Sequence, residues 1–152
     1  MPDHVFGEYP GNDTVRFKEG LMVGYRYFDT YQIAPQFEFG YGLSYTSFEY
    51  SDLKMNPIWK DSDKEFDVSF NITNTGKRYG QEVVQLYIHQ QQCSVKRPVK
   101  ELKGFEKVSL EAGESRQVTL KLPRRALQYY DVIAGRMNRE SLRFKSAHHR
   151  EI

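Results

Sequence analysis

The chain has 152 residues, which is the size of one ordinary domain with a short appendage. Hydrophobic residues make up 39% and aromatic residues 14%, enough for one aromatic-rich core, and no apolar run approaches the roughly 18 residues of a membrane-spanning helix. The net charge of +2 is uneven, because residues 1–123 hold 15 Lys and Arg against 17 Asp and Glu, whereas residues 124–152 hold 7 against 3. A basic end without a folded basic face predicts no nucleic-acid partner.

The first 46 residues are rich in Tyr, Phe and Gly and show no sustained period. We expect residues 1–46 to be extended, as a linker or the end of a preceding domain that lies against another surface. Their start, MPDHVFGEYPG, has neither a basic stretch nor an apolar stretch. We therefore expect no secretory signal and, by default, a cytoplasmic location.

Residues 47–122 alternate between apolar and polar side chains, which predicts β-strands that are half buried on one face, in a domain that we place at residues 47–131. The clearest strand is EFDVSFNITN, residues 65–74, which ends in the turn residues Asn74-Thr75-Gly76-Lys77. Further strands are predicted over residues 47–54, 81–90, 103–110 and 115–122. Short strands separated by Gly and Asn turns, with no helix between them, predict an all-β fold built as an antiparallel sandwich.

The end of the chain follows a different pattern. A short helix is predicted over residues 124–130, directly after Pro123. Residues 132–152, VIAGRMNRESLRFKSAHHREI, show neither clear strand alternation nor a helical apolar stripe. We expect a disordered basic tail there.

The residue types that catalysis needs do not occur in productive patterns. A glycosidase needs two carboxylates across a cleft, but the densest acidic cluster belongs to a solvated loop that enters a strand. That cluster comprises Asp61, Asp63, Glu65 and Asp67. Metal-ligand spacing is lacking among the four histidines, His4, His89, His148 and His149. Cys93 has no recognisable base near it and, as the single cysteine, no disulfide partner. We predict no catalytic residue, no metal site and no cofactor.

Residues 37–45, FEFGYGLSY, combine aromatic residues with two glycines and allow two interpretations. Exposed rings could stack on a sugar, or the same rings could pack inside the protein around a bend that Gly40 and Gly42 permit. Six aromatic residues are candidates for contact with a sugar or with another domain: Tyr25, Tyr27, Phe37, Phe39, Tyr41 and Tyr45.

Four longer motifs then follow one another in a fixed order. They are EG-x-x-VGYRYFD from Glu19 to Asp29, F-x-FGYGLSYT-x-FEY from Phe37 to Tyr50, NTG-x-x-x-GQEVVQLY from Asn74 to Tyr87, and VKELKGFEKVSL-x-x-GES from Val99 to Ser115. In this order they resemble the C-terminal part of glycoside hydrolase family 3, of the β-glucosidase and β-xylosidase type. The resemblance covers about residues 8–131.

The resemblance implies a fold and a role. In that family a barrel domain and an α/β domain precede a fibronectin type III-like β-sandwich, of the immunoglobulin type. The nucleophilic Asp lies in the barrel and the acid/base Glu usually lies in the α/β domain, so no residue of this chain corresponds to a catalytic one. The implied role is a non-catalytic accessory domain that braces the catalytic domains of a β-glycosidase. The alternative is a stand-alone carbohydrate-binding sandwich with a β-linked oligosaccharide as ligand.

Three departures from the family pattern affect this expectation. Glu38 and Ala112 stand where proline is usual, and we expect the basic residues after Asp131 to replace the family's last two strands. Two strands bury apolar side chains worth on the order of 10–18 kcal/mol, comparable to the whole stability of about 5–15 kcal/mol for a domain. We therefore expect a weakly stable chain whose partners are the remaining domains of a glycosidase, or copies of itself bound through an exposed strand edge.

Overall fold

The computed structural model describes residues 19–57, 65–90, 93–131, 133, 135–138 and 142–146. Within these residues the chain forms one short α-helix, a 3₁₀ turn at Arg124–Leu127 and eight strands. The helix and strands are α1 (Tyr25–Tyr31), β1 (Phe48–Pro57), β2 (Glu65–Asn74), β3 (Gly80–Gln90), β4 (Glu101–Leu110), β5 (Ser115–Pro123), β6 (Tyr129–Asp131), β7 (Arg136–Asn138) and β8 (Leu142–Ser146).

The strands form two three-stranded sheets and one small hairpin. The first sheet has the order β1-β2-β5, the second has the order β4-β3-β8, and β6 pairs with β7. Every pairing is antiparallel. The prediction of an all-β, fibronectin type III-like sandwich is confirmed.

The core lies between the two sheets because alternate residues of each strand point inward. In β2 the buried positions recur at every second residue from Val68 to Asn74. The buried cluster joins side chains of both sheets, and its members are Val68, Phe70, Ile72, Val84, Leu86, Ile88, Val108, Leu110, Val118, Leu120, Leu122 and Leu127. The apolar positions that the period of two predicts in β2, β3 and β5 are therefore the core positions.

The end of the chain needs a correction, because strands occur where none was expected. β8 pairs with β3 from Leu86↔Ser146 to Gln90↔Leu142, and β7 closes a hairpin with β6. The letters of β8, LRFKS, do alternate apolar and basic residues, but five residues are too short a run to stand out. The open edge of β3 supplies the backbone partners that such a short strand needs. Apart from Ile133 and Gly135, the other residues of 132–152 lie outside the described ranges.

Two local elements also differ from expectation. The segment before the sandwich contains α1, although an extended conformation was expected there. The helix predicted over residues 124–130 is instead the shorter 3₁₀ turn followed by β6. A helix of seven residues is marginal alone, so α1 depends on contacts with the sandwich. The domain boundaries after residues 46 and 131 stay predictions.

Candidate functional site

The N-terminal residues 25–45, here called the aromatic segment, are anchored to the sandwich through α1. The Tyr25 hydroxyl accepts a hydrogen bond of 2.8 Å from the backbone N–H of Leu102, and the Thr30 hydroxyl accepts one of 3.0 Å from that of Val99. Leu102 lies in β4, which is an edge strand among the strands that the structure describes, and an edge strand presents N–H groups that lack a strand partner. The side chains of α1 therefore cap part of this edge while they hold the helix in place.

An ion pair strengthens the same contact. Lys100 Nζ lies 3.1 Å from a carboxylate oxygen of Asp29 and 5.1 Å from the centre of the Tyr87 ring. Burial raises the pKa of Tyr87 to about 12, with smaller contributions from Tyr25 and Asp29. Lys96 supports the far end of α1 in a similar way, because its ammonium donates a 2.8 Å hydrogen bond to the Tyr31 hydroxyl.

The loop that carries these lysines is itself held in place. Arg97 donates hydrogen bonds to the side chains of Gln90 and Glu101, and its guanidinium carbon lies 4.9 Å from the centre of the Tyr129 ring. Burial alone would raise the pKa of Glu101, but Lys103 and Arg97 outweigh it and hold this pKa below its usual range. Residues 96–100 thus form an ordered platform for α1.

The six predicted aromatic residues do not form one flat surface. Tyr25 packs against Phe39 at 5.3 Å with a tilt of 38°, and its other neighbour, Tyr87, meets it edge-on at 5.5 Å. Phe37 and Tyr41 also pack at a steep angle of 64°. Rings that pack tilted or edge-to-face against one another do not offer a continuous stacking platform.

The bend that the two glycines predict is present. Gly40 has φ 76° and Gly42 has φ 58°, and the N–H of Tyr41 donates to the carbonyl of Glu38 at 3.0 Å. Beyond the bend the side chains face outward, and Leu43 is 94% and Tyr45 is 89% exposed. Phe37 and Phe39 are also more than half exposed, and whether the six aromatic residues contact a sugar or another domain stays a prediction.

A cavity of about 220 Å³ opens between α1, the later part of the aromatic segment and the sandwich. Its lining comprises Gly24, Tyr25, Phe28, Asp29, Pro35, Phe37, Glu38, Phe39, Tyr87 and Lys100. Three of the six predicted residues, Tyr25, Phe37 and Phe39, meet here. Tyr27 packs instead on its neighbours Phe28 and Tyr31, and Tyr41 and Tyr45 lie beyond the cavity.

Sequence reasoning missed the polar residues of this site. Asp29 and Lys100 lie in two separate family motifs, 71 positions apart, and only the fold brings them together. The sequence signal that could have identified these two residues is that both lie within the family motifs VGYRYFD and VKELKGF.

Asn74 holds the junction between the aromatic segment and the sandwich. It is fully buried, and its amide oxygen accepts hydrogen bonds from the Thr46 hydroxyl at 2.5 Å and the Gly76 N–H at 3.1 Å. Its amide nitrogen donates to the carbonyls of Arg78 and Leu110 at 2.8 and 3.1 Å. One side chain therefore joins Thr46, the residue that follows the segment, to the turn between β2 and β3 and to the end of β4.

The described part of the chain has no group of three His, Cys, Asp or Glu side chains that could hold a metal ion. His89 contacts the carbonyl of Val99. Glu65 and Asp67 lie on β2, whereas Asp61 and Asp63, like the other three histidines, fall outside the described residues. Over the ranges that the structure covers, no helix has the length and apolar character needed to cross a membrane.

Comparison with known proteins agrees with this fold. Residues 82–146 match the fibronectin type III-like domain family. A β-glucosidase from Bacteroides ovatus is 48% identical over 134 residues, which cover 86% of this chain and 18% of that protein. Thermostable β-glucosidase B from Acetivibrio thermocellus is 52% identical over 124 residues, covering 81% and 16%. The crystal structure of DesR, a β-glucosidase from Streptomyces venezuelae, in complex with D-glucose superposes with a TM-score of 0.79 at 37% identity, covering 93% and 18%.

The chain carries a fibronectin type III-like domain of glycoside hydrolase family 3. This family 3 domain spans less than one fifth of the length of the two β-glucosidases above. The match to the Bacteroides ovatus protein leaves only about 14% of the chain uncovered. A continuous match of that extent has to include the aromatic segment, so the segment is shared with the relative together with the sandwich.

Proposed function

We propose that this family 3 domain is a non-catalytic accessory part of a β-glycosidase, and that its aromatic segment packs against the preceding domain and braces it. One observation carries the proposal: the segment is anchored at α1 by the sandwich, yet its far half exposes Leu43 and Tyr45 almost fully. Exposed apolar side chains grouped on an ordered segment are typical of a contact surface. The related β-glucosidases are much longer than this chain, so they have further domains that could cover this contact surface.

The chemistry of the described residues supports a non-catalytic role. The two carboxylates that line the cavity are Asp29 and Glu38, and Asp29 is occupied by its ion pair with Lys100. A retaining glycosidase needs one carboxylate free to attack the sugar and a second that carries a proton. In the proposed enzyme that pair lies in other domains, and the substrate is a β-glucoside or β-xyloside.

A chimera tests this function. In the β-glucosidase from Bacteroides ovatus, the stretch that matches this chain is exchanged for the 152 residues. We expect the chimera to hydrolyse p-nitrophenyl β-glucoside and the 152-residue chain alone to be inactive. Hydrolysis by the chain alone contradicts the proposal if the activity remains unchanged after the chain is purified again. So does a soluble, folded chimera that is inactive while the parent enzyme is active.

Carbohydrate binding by the chain alone is the second candidate. The cavity favours it, because rings and carboxylates together can contact both the faces and the hydroxyls of a sugar. The tilted packing of the rings weighs against a platform for a long oligosaccharide. Calorimetric titration with cello- and xylo-oligosaccharides separates the candidates: saturable heat at millimolar sugar supports binding, and its absence supports the accessory role alone.

A further inference from the structure

We infer that the outer face of β3 and β4 is a second contact surface, through which Phe105 and Val83 dock on an apolar part of the domain that precedes this one in the whole enzyme. The inference rests on the proposed function and adds a surface that lies outside the aromatic segment. Its grounds are the exposure of these two side chains, their position beside the segment and the different character of the opposite face.

The outward side chains of β3 and β4 include large apolar ones. Val84 and Val108 belong to the core, so the alternate positions, among them Val83 and Phe105, point away from it. Phe105 is 70% exposed and Val83 is 43% exposed. Exposed apolar side chains that lie together on a rigid sheet are typical of a contact surface.

Tyr79 extends this apolar face. Its hydroxyl accepts a hydrogen bond of 3.0 Å from the side chain of Gln81, which also donates one of 3.2 Å to the hydroxyl of Ser109. Gln81 and Ser109 are register partners on β3 and β4, and both point outward like Val83. The half-exposed ring of Tyr79 therefore lies on the same side of the sheet.

The aromatic segment covers only part of the same face. Tyr87, an outward residue of β3, is buried beneath α1. Gln85, the next outward residue, lies against Gly40, because a Cβ on Gly40 would collide with the amide nitrogen of Gln85. Phe105 is the register partner of Gln85, and Val83 follows as the next outward residue of β3. The exposed side chains therefore begin directly beside the part of the sheet that the segment covers.

The other sheet has an outer face of a different kind. Every outward residue of β2 from Asp67 to Thr73 is polar, and so are the register partners of these residues on β5, from Lys121 back to Ser115. An antiparallel sheet that is solvated on one side has polar side chains there. The face of β3 and β4 departs from this pattern, which indicates that it is covered in the whole protein.

The preceding domain is the partner that fits this face. The proposed function places that domain on the aromatic segment, and the segment adjoins Phe105 and Val83 through Gly40 and Gln85. The stretch that matches this chain is less than one fifth of the length of the two related β-glucosidases, so further domains are present there. Aromatic side chains are enriched at the centres of interfaces, and charged ones lie at the rim. Phe105 supplies such a centre, and the exposed Lys107, opposite Val83, supplies a rim.

The first test compares side-chain oxidation by hydroxyl radicals in the 152-residue chain and in the chimera with the Bacteroides ovatus β-glucosidase. Oxidation of Phe105 is expected to fall about fivefold in the chimera, because a ring that is 70% exposed becomes nearly buried. The half-exposed Tyr130 on β6 is the internal reference and should be oxidised equally in both proteins. Equal oxidation of Phe105 in both proteins overturns the inference.

A pair of variants tests the contribution of the face to the whole enzyme. Phe105→Glu is expected to speed thermal inactivation of the chimera roughly tenfold, because it places a charge against an apolar surface. Thr119→Glu, at an exposed position on the polar face of β5, should inactivate like the parent chimera. In the 152-residue chain both variants should keep the parent's urea midpoint, because both positions are exposed there. Equal inactivation rates of the two chimera variants overturn the inference, and if Phe105→Glu also lowers the midpoint of the chain, the oxidation of Phe105 decides.

The results separate this inference from the proposed function. Tyr45, on the aromatic segment, shows in the same oxidation experiment whether the segment is covered. Protection of Tyr45 without protection of Phe105 supports the proposed function and overturns the inference. Protection of Phe105 in a folded but inactive chimera supports the second surface and contradicts the accessory role. Protection of Phe105 in the 152-residue chain that increases with its concentration assigns the face to a second copy of the chain and overturns the inference.

Discussion

Replacing the fully buried Asn74 by alanine is expected to destabilise the chain strongly. The side chain makes four hydrogen bonds at a position with no solvent exposure. Each such bond contributes about 0.5–1.5 kcal/mol, and buried partners that lose it also keep a desolvation cost, so the loss should be about 3–5 kcal/mol. Against a whole stability of about 5–15 kcal/mol, that loss is large.

The assay is urea unfolding followed by far-ultraviolet circular dichroism. Asn71→Ala is the matched control, because Asn71 lies on the same strand but makes one exposed side-chain bond, to Asp52. It should cost less than about 1 kcal/mol. Thr46→Val removes one of the four bonds to Asn74 and should cost about 1 kcal/mol. The reasoning is refuted if Asn74→Ala and Asn71→Ala shift the urea midpoint equally.

Three further predictions concern the same framework. Gly76→Ala should cost about 2–3 kcal/mol, because its new Cβ would clash with the Thr46 hydroxyl and lie 3.0 Å from the backbone N of Ser47. Gly113→Ala, in open space at φ 76°, should cost only about 1 kcal/mol. Equal urea midpoints for the two variants would contradict this. Tyr25→Phe removes the acceptor of the Leu102 N–H and should cost about 1 kcal/mol, with faster hydrogen exchange at that amide; unchanged exchange would count against the edge cap. Because burial raises the pKa of Tyr87 to about 12, against about 10 in the unfolded chain, stability present below pH 10 should be lost as pH rises towards 12. Tyr87→Phe should show a shallower loss, and an identical pH profile would refute the assignment.

The strands and the core were largely predictable from the sequence. β2 has the predicted bounds, and its apolar residues from Val68 to Ile72 are its buried residues. A strand with one buried face has apolar side chains at every second position, which is visible in the sequence. The five letters of β8 carry too little of that signal, so its pairing with β3 depends on the tertiary context. The same is true of α1, whose seven residues are stabilised by contacts with β4 and with residues 96–100.

The site was only half predictable. Aromatic composition pointed to Tyr25, Phe37 and Phe39, because such clusters of rings are visible in a local window of sequence. The pairing of Asp29 with Lys100 and the burial of Asn74 depend on contacts between distant parts of the chain. A sequence pattern marks where a turn residue stands, but it does not show that the side chain of that residue joins three elements.

The central claim, that the aromatic segment packs against a preceding domain, is tested most directly by hydrogen exchange. Amide exchange of peptides covering residues 37–45 is compared between the isolated chain and the chimera with the Bacteroides ovatus β-glucosidase. We predict strong additional protection of these peptides in the chimera, with the β2 peptides unchanged as an internal reference. Equal exchange of residues 37–45 in both proteins would contradict the claim.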